Sequence, residues 1–263
     1  MLSRSSRRSV VADMALSEAQ RTRYSRQLLM PEIGPKGQEK LLASKVLVIG
    51  AGGLGSPAAL YLGAAGVGTI GLADSDAVDL SNLQRQILHS TETLGIPKVE
   101  SAAGRLRGLN PDVRVEAYQV FVDGENIDAL IAPYDFILEC TDSFDAKALI
   151  NDACVRGGKP FCHGAVIRFY GQMMTVLPGK SACYRCAFPQ VPDPEKAPDA
   201  RKLGVLGAVP GVIGCLQALE AIKYLTGAGE LLTDRLLTFD ALDMEFQSVA
   251  LKRRNDCAAC AGR

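Results

Sequence analysis

Residues 50–55, Gly-Ala-Gly-Gly-Leu-Gly, follow the pattern G-x-G-x-x-G, which shapes loops around nucleotide phosphates. Gly50, Gly52, Gly53 and Gly55 permit a tight turn and a close approach of the backbone to a phosphate, and a following helix offers unpaired N–H groups. Asp74 ends the next strand-like run, where such folds present a carboxylate to ribose hydroxyls. The pattern predicts a nucleotide site, with a tight turn that binds nothing as the structural alternative. By itself it does not separate NAD from ATP.

Amide and cationic side chains beyond the second strand bear on that choice. A dinucleotide oxidoreductase needs an apolar nicotinamide pocket, whereas a triphosphate needs positive charge, which Arg supplies bidentately and Lys as a point charge. Arg85 and Lys98 supply that charge and favour ATP, although solvated surface charges would look the same. The candidate binding residues of this segment are Ser81, Asn82, Leu83, Gln84, Arg85 and Lys98.

Asp142 follows a third strand-like run in the sequence Cys-Thr-Asp. It would lie at the carboxyl edge of a parallel sheet, where ligands bind in open α/β folds. A carboxylate there is a candidate Mg²⁺ ligand, together with water and phosphate oxygens. The alternative is that Asp142 caps the following helix.

Four of the eight cysteines form two C-x-x-C pairs, Cys183/Cys186 and Cys257/Cys260, separated by 70 residues. Four thiolates in two such pairs form a tetrahedral structural zinc site with no open position. We therefore predict a zinc ion that ties the C-terminal tail to the preceding crossover region. Two redox dithiols are the alternative.

The other cysteines lie in apolar contexts and are predicted to be buried and inert. Cys162-His163 could supply a nucleophile and a base, but the sequence shows no third partner for them. The cysteines outside the two pairs are Cys140, Cys154, Cys162 and Cys215.

Strands and helices that alternate along the chain must position these residues. Such alternation predicts βαβ units and a Rossmann-like α/β fold with a mostly parallel sheet flanked by helices. The predicted strands are 45–50, 67–74, 113–120, 135–140 and 160–166. The predicted helices are 52–65, 97–108, 124–132 and 143–156.

The pattern changes after residue 162. Strand-like runs at 170–177, 234–240 and 244–251 surround one long helix at about 209–226, which predicts an antiparallel C-terminal extension of the same domain. Residues 188–203 contain four prolines among charges and are predicted to form a crossover loop.

Composition excludes several classes of protein. The chain has 263 residues and a net charge of +0, which argues against bulk electrostatic binding of nucleic acid. No uncharged apolar run approaches the roughly 20 residues of a membrane helix. The cysteine density is below that of disulfide scaffolds, so a reducing cytoplasmic location is expected.

The motifs together resemble the MoeB/ThiF family of sulfur-carrier adenylyltransferases, bacterial relatives of ubiquitin-activating enzymes. The resemblance runs from about residue 16 to 260 and implies one adenylation domain over 14–263. Residues 1–13 carry three arginines and no acid before Asp13, and they are expected to form a disordered tail, with a transit peptide as the alternative. Its nucleotide part would span about 44–160 and its carrier-binding and zinc part about 161–263. The motifs that carry it are 23–27 (RYSRQ), the glycine loop, 74–86, 97–100 (PKVE), 140–142 (CTD), 211–214 (GVIG) and both cysteine pairs.

The resemblance implies a homodimer that uses ATP and Mg²⁺ to adenylate the C-terminal Gly-Gly carboxylate of a small ubiquitin-like protein, releasing pyrophosphate. The carrier would be ThiS- or MoaD-like, for thiamine or molybdenum cofactor biosynthesis. An NAD-dependent oxidoreductase is the alternative function. The implied roles are phosphate contact for Gly53, Asn82, Arg85 and Lys98, ribose contact for Asp74, Mg²⁺ ligation for Asp142, and an arginine finger from the other subunit for Arg26.

Two residues depart from the family pattern. Ser143 stands where the family often has Asn; as a candidate binding residue it can still cap the helix and hydrogen-bond, without the amide that an Asn would bring. Ala200 stands where members that bind the carrier covalently have Cys. We therefore expect the reaction to stop at the acyl-adenylate. Since 263 residues leave no room for a fused sulfurtransferase, a separate sulfur donor is expected to complete it.

Overall fold

The computed structural model describes residues 16–190 and 203–262. Elements are numbered in chain order over these residues. The helices are α1 (Glu18–Arg23), α2 (Ser25–Leu28), α3 (Gly34–Ala43), α4 (Gly55–Ala65), α5 (Lys98–Leu109), α6 (Ile127–Ile131), α7 (Phe144–Gly157), α8 (Tyr184–Ala187) and α9 (Ala208–Thr226). The strands are β1 (Lys45–Ile49), β2 (Thr69–Ala73), β3 (Arg114–Tyr118), β4 (Phe136–Glu139), β5 (Phe161–Ile167), β6 (Tyr170–Val176), β7 (Arg235–Asp240) and β8 (Glu245–Ala250).

All eight strands form one sheet in the order β3-β2-β1-β4-β5-β6-β7-β8. The pairs from β3 to β5 are parallel, and those from β5 to β8 are antiparallel. This arrangement confirms the predicted Rossmann-like sheet and its antiparallel extension. The chain winds outward from β1 in both directions, so β1 and β4 flank the switch point where open α/β folds bind ligands.

The two faces of the sheet carry separate hydrophobic cores because successive side chains of a strand point to opposite faces. In β1, Val46 and Val48 belong to the core that includes residues of α4, α5 and α9. Leu47 and Ile49 belong to the core that includes residues of α6 and α7 and three of the paired cysteines. The nucleotide motifs at the strand ends therefore rest on a layer that is packed on both sides.

The predicted elements all appear, with shifted ends. Helix α4 begins at Gly55 rather than at residue 52, because the glycine loop precedes its first turn. Helix α6 covers only Ile127–Ile131 of the predicted 124–132. Helices α1, α2, α3 and α8 were not predicted. The start of α1 carries a capping box of Ser17 and Gln20, which could have been read from the sequence.

Helix α9 is long and apolar enough to cross a membrane by length and composition, a test that the core helix of a soluble protein also passes. Here it packs against α4 and the sheet, and a Cβ on Gly214 would lie 2.3 Å from the Leu54 carbonyl oxygen. That contact requires glycine and brings the start of α4 against α9.

Several predictions concern residues outside the described ranges. The tail at 1–13 and Ala200 lie outside them, as does most of the predicted crossover loop. The proposed division at about residue 160 stays a prediction.

Candidate nucleotide site and cysteine cluster

The site is built on three strands that end at the same level of the sheet. Ile49 of β1 pairs in register with Ala73 of β2 and with Glu139 of β4. The ladder continues one step further, with the Gly50 N–H donating to the Ala73 carbonyl and the Cys140 N–H to the Ile49 carbonyl. The glycine loop, Asp74 and the segment leading to Asp142 therefore begin side by side.

Gly50 and Gly55 are required by geometry. Gly50 has a φ of +98°, and a Cβ there would lie 2.6 Å from the Cys140 carbonyl oxygen. A Cβ on Gly55 would lie 1.9 Å from the Gly50 carbonyl oxygen. The loop thus folds tightly onto itself and onto the end of β4, so any side chain at these positions would push the segments apart.

Asp74 fixes the loop through its carboxylate. Its Oδ2 accepts from the Ala51 N–H at 2.8 Å, and its Oδ1 accepts from the Asp76 N–H at 2.9 Å. The side chain is half-buried, and each oxygen keeps a further lone pair. The carboxylate both shapes the glycine loop and can accept from a ligand hydroxyl.

Lys98 is buried rather than solvated, so the surface-charge alternative is wrong for this residue. Its side chain is 6% exposed, and its Nζ lies 2.8 Å from a carboxylate oxygen of Asp76. The Lys98 N–H also donates to the Asp76 carbonyl at 2.9 Å. A cation is thereby held at the start of α5, beside the end of β2.

The segment 81–86 lies against the glycine loop. A Cβ on Gly53 would lie 3.6 Å from Cγ of the half-buried Arg85. The guanidinium donates to the Ser81 carbonyl and to Asn82 Oδ1, both at 3.2 Å. Asp79 orients Ser81 by accepting from its N–H and its hydroxyl, and these bonds lower the pKa of Asp79.

The remaining members of this segment have separate positions. Gln84 contacts the start of α9, where a Cβ on Gly207 would lie 2.2 Å from the Gln84 carbonyl oxygen. Leu83 is half-buried and follows the turn at 80–82. Gln86, which lies beside Gly52, is buried and its Oε1 has no hydrogen-bond partner within the described ranges. Such an orphaned acceptor next to a glycine cradle fits a ligand site.

Asp142 is exposed on the segment between β4 and α7. It does not cap α7, so the N-cap alternative is wrong for Asp142. The cap is Ser143, whose Oγ accepts from the Ala146 N–H at 3.2 Å, as predicted for a Ser at this position. The Asp142 carboxylate thus remains available to a cation.

Arg26 lies apart from these residues on the short helix α2, where it is exposed. Within residues 16–190 and 203–262 it makes no recorded hydrogen bond or ion pair. Its guanidinium is therefore available to a group outside the chain.

The four paired cysteines form one cluster in which all Sγ atoms lie within 4.8 Å of one another. The recorded Sγ–Sγ distances are 3.9 Å for Cys183–Cys186, 3.6 Å for Cys183–Cys257 and 3.5 Å for Cys186–Cys260. A tetrahedron with metal–sulfur bonds of about 2.3 Å has edges of about 3.8 Å, whereas a disulfide would require about 2.05 Å. The cluster therefore fits a metal ion and not two disulfides.

The pKa values of the clustered thiols are shifted in different directions by their surroundings. Burial alone would raise the pKa of Cys257, but hydrogen bonds from the N–H groups of Cys260 and Ala259 and from the Cys260 and Cys183 side chains together outweigh it and lower that pKa to about 7. Burial raises the pKa of Cys183. The Arg254 N–H lies 3.4 Å from the Cys186 sulfur, the kind of donor that supports a bound thiolate.

A model described as the ThiF family matches residues 24–259. The chain belongs to the ThiF family.

Curated relatives of this ThiF-family protein carry names of activation and nucleotide transfer. It is 47% identical over 247 residues to the "SAMP-activating enzyme E1" of Haloferax volcanii, covering 94% of this chain and 91% of that one. It is 45% identical over 243 residues to the "Sulfur carrier protein adenylyltransferase" of Thermus thermophilus, covering 90% of each. The bovine "Adenylyltransferase and sulfurtransferase MOCS3" is 47% identical, but only 55% of its length is covered. These names leave no support for the oxidoreductase alternative.

Solved structures confirm the fold. E. coli MccB with ATP superposes with a TM-score of 0.80 at 24% identity, over 91% of this chain and 74% of that one. MccB with N-formylated MccA superposes with a TM-score of 0.82 at the same identity. At this identity the likeness concerns the fold alone.

In this ThiF-family protein, three of the four cysteines outside the two C-x-x-C pairs are buried, as predicted. Cys140, Cys154 and Cys162 are buried, and burial raises the pKa of each thiol. Cys215 is only half-buried, because it lies on a less covered side of α9. Cys162 does not form a nucleophile–base pair with His163: the imidazole bonds to Glu139, and the two side chains point to opposite faces of β5.

Three buried polar residues behind the strand ends form a cluster that was not predicted; of the three, only His163 was named from the sequence, as a base for Cys162. Glu139, Lys147 and His163 are each at most 5% exposed, and Glu139 binds the other two. Glu139 was a readable signal, because an acid inside the apolar run Phe-Ile-Leu-Glu-Cys must find a partner when buried.

Another residue missed from the sequence is His89, which lies under the glycine loop. Its Nε2 lies 2.9 Å from the Ala51 carbonyl oxygen and its Nδ1 3.0 Å from Ser101 Oγ. Burial lowers the pKa of His89. With a neutral ring, Nε2–H donates to Ala51 and Nδ1 accepts from Ser101.

Proposed function

We propose that this protein is an ATP-dependent adenylyltransferase that activates the C-terminal glycine carboxylate of a small ubiquitin-like sulfur carrier and releases pyrophosphate. The observation that carries the proposal is the alignment of Ile49, Ala73 and Glu139 at one sheet edge. This alignment supports a single ligand position that the glycine loop, the Asp74 carboxylate and the Asp142 carboxylate would share. The relatives from Haloferax volcanii and Thermus thermophilus support the reaction class by name.

In this proposal each residue of the site would help to hold the nucleotide. Gly50, Gly52, Gly53 and Gly55 would hold the phosphates at the N-terminus of α4, where free N–H groups favour anions. Asp74 would accept from a ribose hydroxyl. The other contacts are assigned to Ser81, Asn82, Leu83, Gln84, Arg85, Lys98, Asp142 and Ser143.

The reaction needs charge more than proton transfer. A C-terminal carboxylate has a pKa near 3.5 and is already ionised at pH 7, so its attack on the α-phosphorus requires no general base. Arg85 and Lys98 would neutralise the charge that develops on the phosphates, and positioning would supply the remainder. When bound, Mg²⁺ would neutralise phosphate charge and favour departure of pyrophosphate; Asp142 is the side chain that would hold it.

The assembly we propose is a homodimer in which Arg26 reaches the active site of the other subunit. The exposure of Arg26 and its freedom from partners within the described ranges support this placement. An arginine donated in trans to a phosphoryl group can be worth about 10³-fold or more in rate.

We also propose that Cys183, Cys186, Cys257 and Cys260 bind one structural Zn²⁺. The sulfur separations support a tetrahedral ion. The cysteines come from the segment before the crossover and from the C-terminal tail, so the ion would tie the tail to the side of the sheet that carries α7 and α8. A reducing cytoplasm would keep these thiols available.

The product in this proposal is the carrier acyl-adenylate, which a separate sulfur donor would convert to a thiocarboxylate. The raised pKa of Cys140, Cys154 and Cys162 supports this, since buried neutral thiols are poor nucleophiles. Thiamine and molybdenum cofactor biosynthesis both accommodate such a carrier.

ATP–pyrophosphate exchange in the presence of a purified carrier tests the proposal. We expect exchange with a ThiS-type or a MoaD-type carrier, and none when the carrier lacks its last glycine. Arg85→Ala should reduce exchange by about 10²-fold or more. Arg107→Ala, at an exposed arginine on α5, is the matched control and should not. Failure of both carrier types to support exchange would refute the function.

A further inference from the structure

Three ionisable side chains are buried directly behind the site and have no role in the proposed reaction. The side chains of Lys147, Glu139 and His163 are 5%, 1% and 1% exposed. We refer to them as the buried cluster. Buried ion pairs lose so much hydration that an apolar trio of similar volume is often equally stable, so stability alone does not account for them.

The buried cluster is hydrogen-bonded to the half-buried residue Thr141, which directly precedes Asp142. Glu139 Oε1 accepts from the Thr141 N–H at 2.8 Å and from its hydroxyl at 2.6 Å. Lys147 Nζ donates to the Thr141 carbonyl at 2.7 Å, and to the Gly164 carbonyl at 2.8 Å. Every polar group of Thr141 is therefore held by the ion pair or its partners.

His163 completes the shell of Glu139. Its Nδ1 lies 2.6 Å from Glu139 Oε2, and its ring packs 4.7 Å from that of Tyr184. Lys147 Nζ lies 3.1 Å from both carboxylate oxygens. With the lysine on one side and the imidazole on another, the carboxylate has no freedom to rotate away from Thr141.

Asp142 follows Thr141 and has no such support of its own. Its carboxylate is exposed, and within the described ranges it makes no recorded bond to protein. The direction in which it points is therefore set by the peptide before it, which the buried cluster fixes, and by the Ser143 cap after it.

We propose that Lys147, paired with Glu139 and His163, is a positioning residue that fixes Thr141 and thereby aims the Asp142 carboxylate at the metal ion of the bound nucleotide. The proposal rests on the function proposed above and adds a residue to its metal site. Lys147 acts through Thr141 and does not touch substrate.

The test uses Mn²⁺ as a probe, with its affinity measured by electron paramagnetic resonance on the chain saturated with the non-hydrolysable analogue AMPCPP. Lys147→Met should weaken Mn²⁺ binding about tenfold. The double variant Glu139→Gln, Lys147→Met removes the bond to the Thr141 carbonyl without leaving an unpaired buried charge. It should show the same loss in a folded chain.

Lys223→Met is the matched control, because it breaks a partly buried lysine–glutamate pair with Glu220 on α9. It should lower thermal stability and leave Mn²⁺ affinity unchanged. Mn²⁺ affinity within twofold of wild type in the folded double variant would overturn the proposal, as would an equal loss in Lys223→Met. If neither Lys147 variant folds, Thr141→Val decides, because it removes one bond to Glu139 at a half-buried position.

The test separates this proposal from the proposed function. One outcome is that the wild-type chain binds Mn²⁺ with AMPCPP but shows no carrier-dependent exchange, and that the Lys147 variants lose the Mn²⁺ binding. This outcome would refute the function and support the positioning role. Exchange that persists with unchanged Mn²⁺ affinity in those variants would refute only the positioning role. A wild-type chain that does not bind Mn²⁺ with AMPCPP would overturn both.

Discussion

Removal of the proposed zinc ion should destabilise the chain by the free energy with which the folded chain binds it. The ion would connect Cys183 to Cys257, 74 residues later in the chain. An ion that binds the folded chain and not the unfolded chain stabilises the fold by RT ln(1 + [Zn²⁺]/Kd), which is about 4 kcal/mol at 25 °C when free zinc exceeds its dissociation constant about 1,000-fold. For a domain of this size, about 4 kcal/mol corresponds to a fall in melting temperature of about 8–16 °C.

The assay is thermal unfolding of the purified protein with and without a strong chelator, alongside zinc content by atomic spectroscopy. Wild type should contain about one zinc per chain, in keeping with four ligands in one tetrahedral site, and should lose the stated stability on chelation. Cys257→Ser should start near the chelated value and respond little to chelator. Cys215→Ser, outside the cluster, is the control and should behave as wild type. Zinc-free wild type, or a chelator effect of the same size in Cys257→Ser, would refute the assignment.

Three further predictions concern the site. The Arg26→Ala and Arg85→Ala variants should each lack ATP–pyrophosphate exchange when assayed alone. An equal mixture of the two, after their subunits have re-assorted, should recover about a quarter of wild-type activity, because half of the dimers hold one intact site. No recovery would place Arg26 in its own subunit's site. Gly50→Ala should destabilise the chain by about 1–3 kcal/mol in urea unfolding, since it forces a non-glycine residue into a φ of +98° with a 2.6 Å contact; an unchanged midpoint would contradict this geometry. Burial lowers the pKa of His163, so the stability contributed by its neutral ring is complete above the unfolded pKa near 6.5 and is lost as pH falls toward the folded pKa. Urea unfolding between pH 7.5 and 5.5 should show this loss, and His163→Gln should reduce the slope of the unfolding free energy against pH.

The sequence predicted the parts of the fold that depend on local pattern. β1 is an uninterrupted apolar run followed by glycine, and a strand buried on both faces reads that way. The glycine loop followed directly, and its spacing to Asp74 placed the end of β2 correctly. The two cysteine pairs were also readable, because two pairs of thiols at this spacing have few other uses.

The burial and the contacts of the site residues were not predictable in this way. Lys98 was expected to face phosphate or solvent, but it is buried against Asp76, a contact set by the path of the chain between β2 and α5. The choice between Asp142 and Ser143 as the cap of α7 depends on the backbone angles of the helix entry, with Ser143 at φ −109° and ψ 142°. Sequence spacing permits either residue.

The buried cluster shows why Glu139 could be noticed in the sequence as an unusual residue, although its bonding partners could not be deduced. Glu139 in an apolar strand demands partners, yet the chain offers several candidates within the next turns of helix and strand. His163 becomes the partner because β5 lies next to β4 in register, with Glu139 opposite His163. Lys147 becomes the other because α7 begins at Phe144 and returns over the same face one turn later. Both conditions depend on strand order, which follows from the winding of the whole sheet, so the support of Asp142 is a property of tertiary structure.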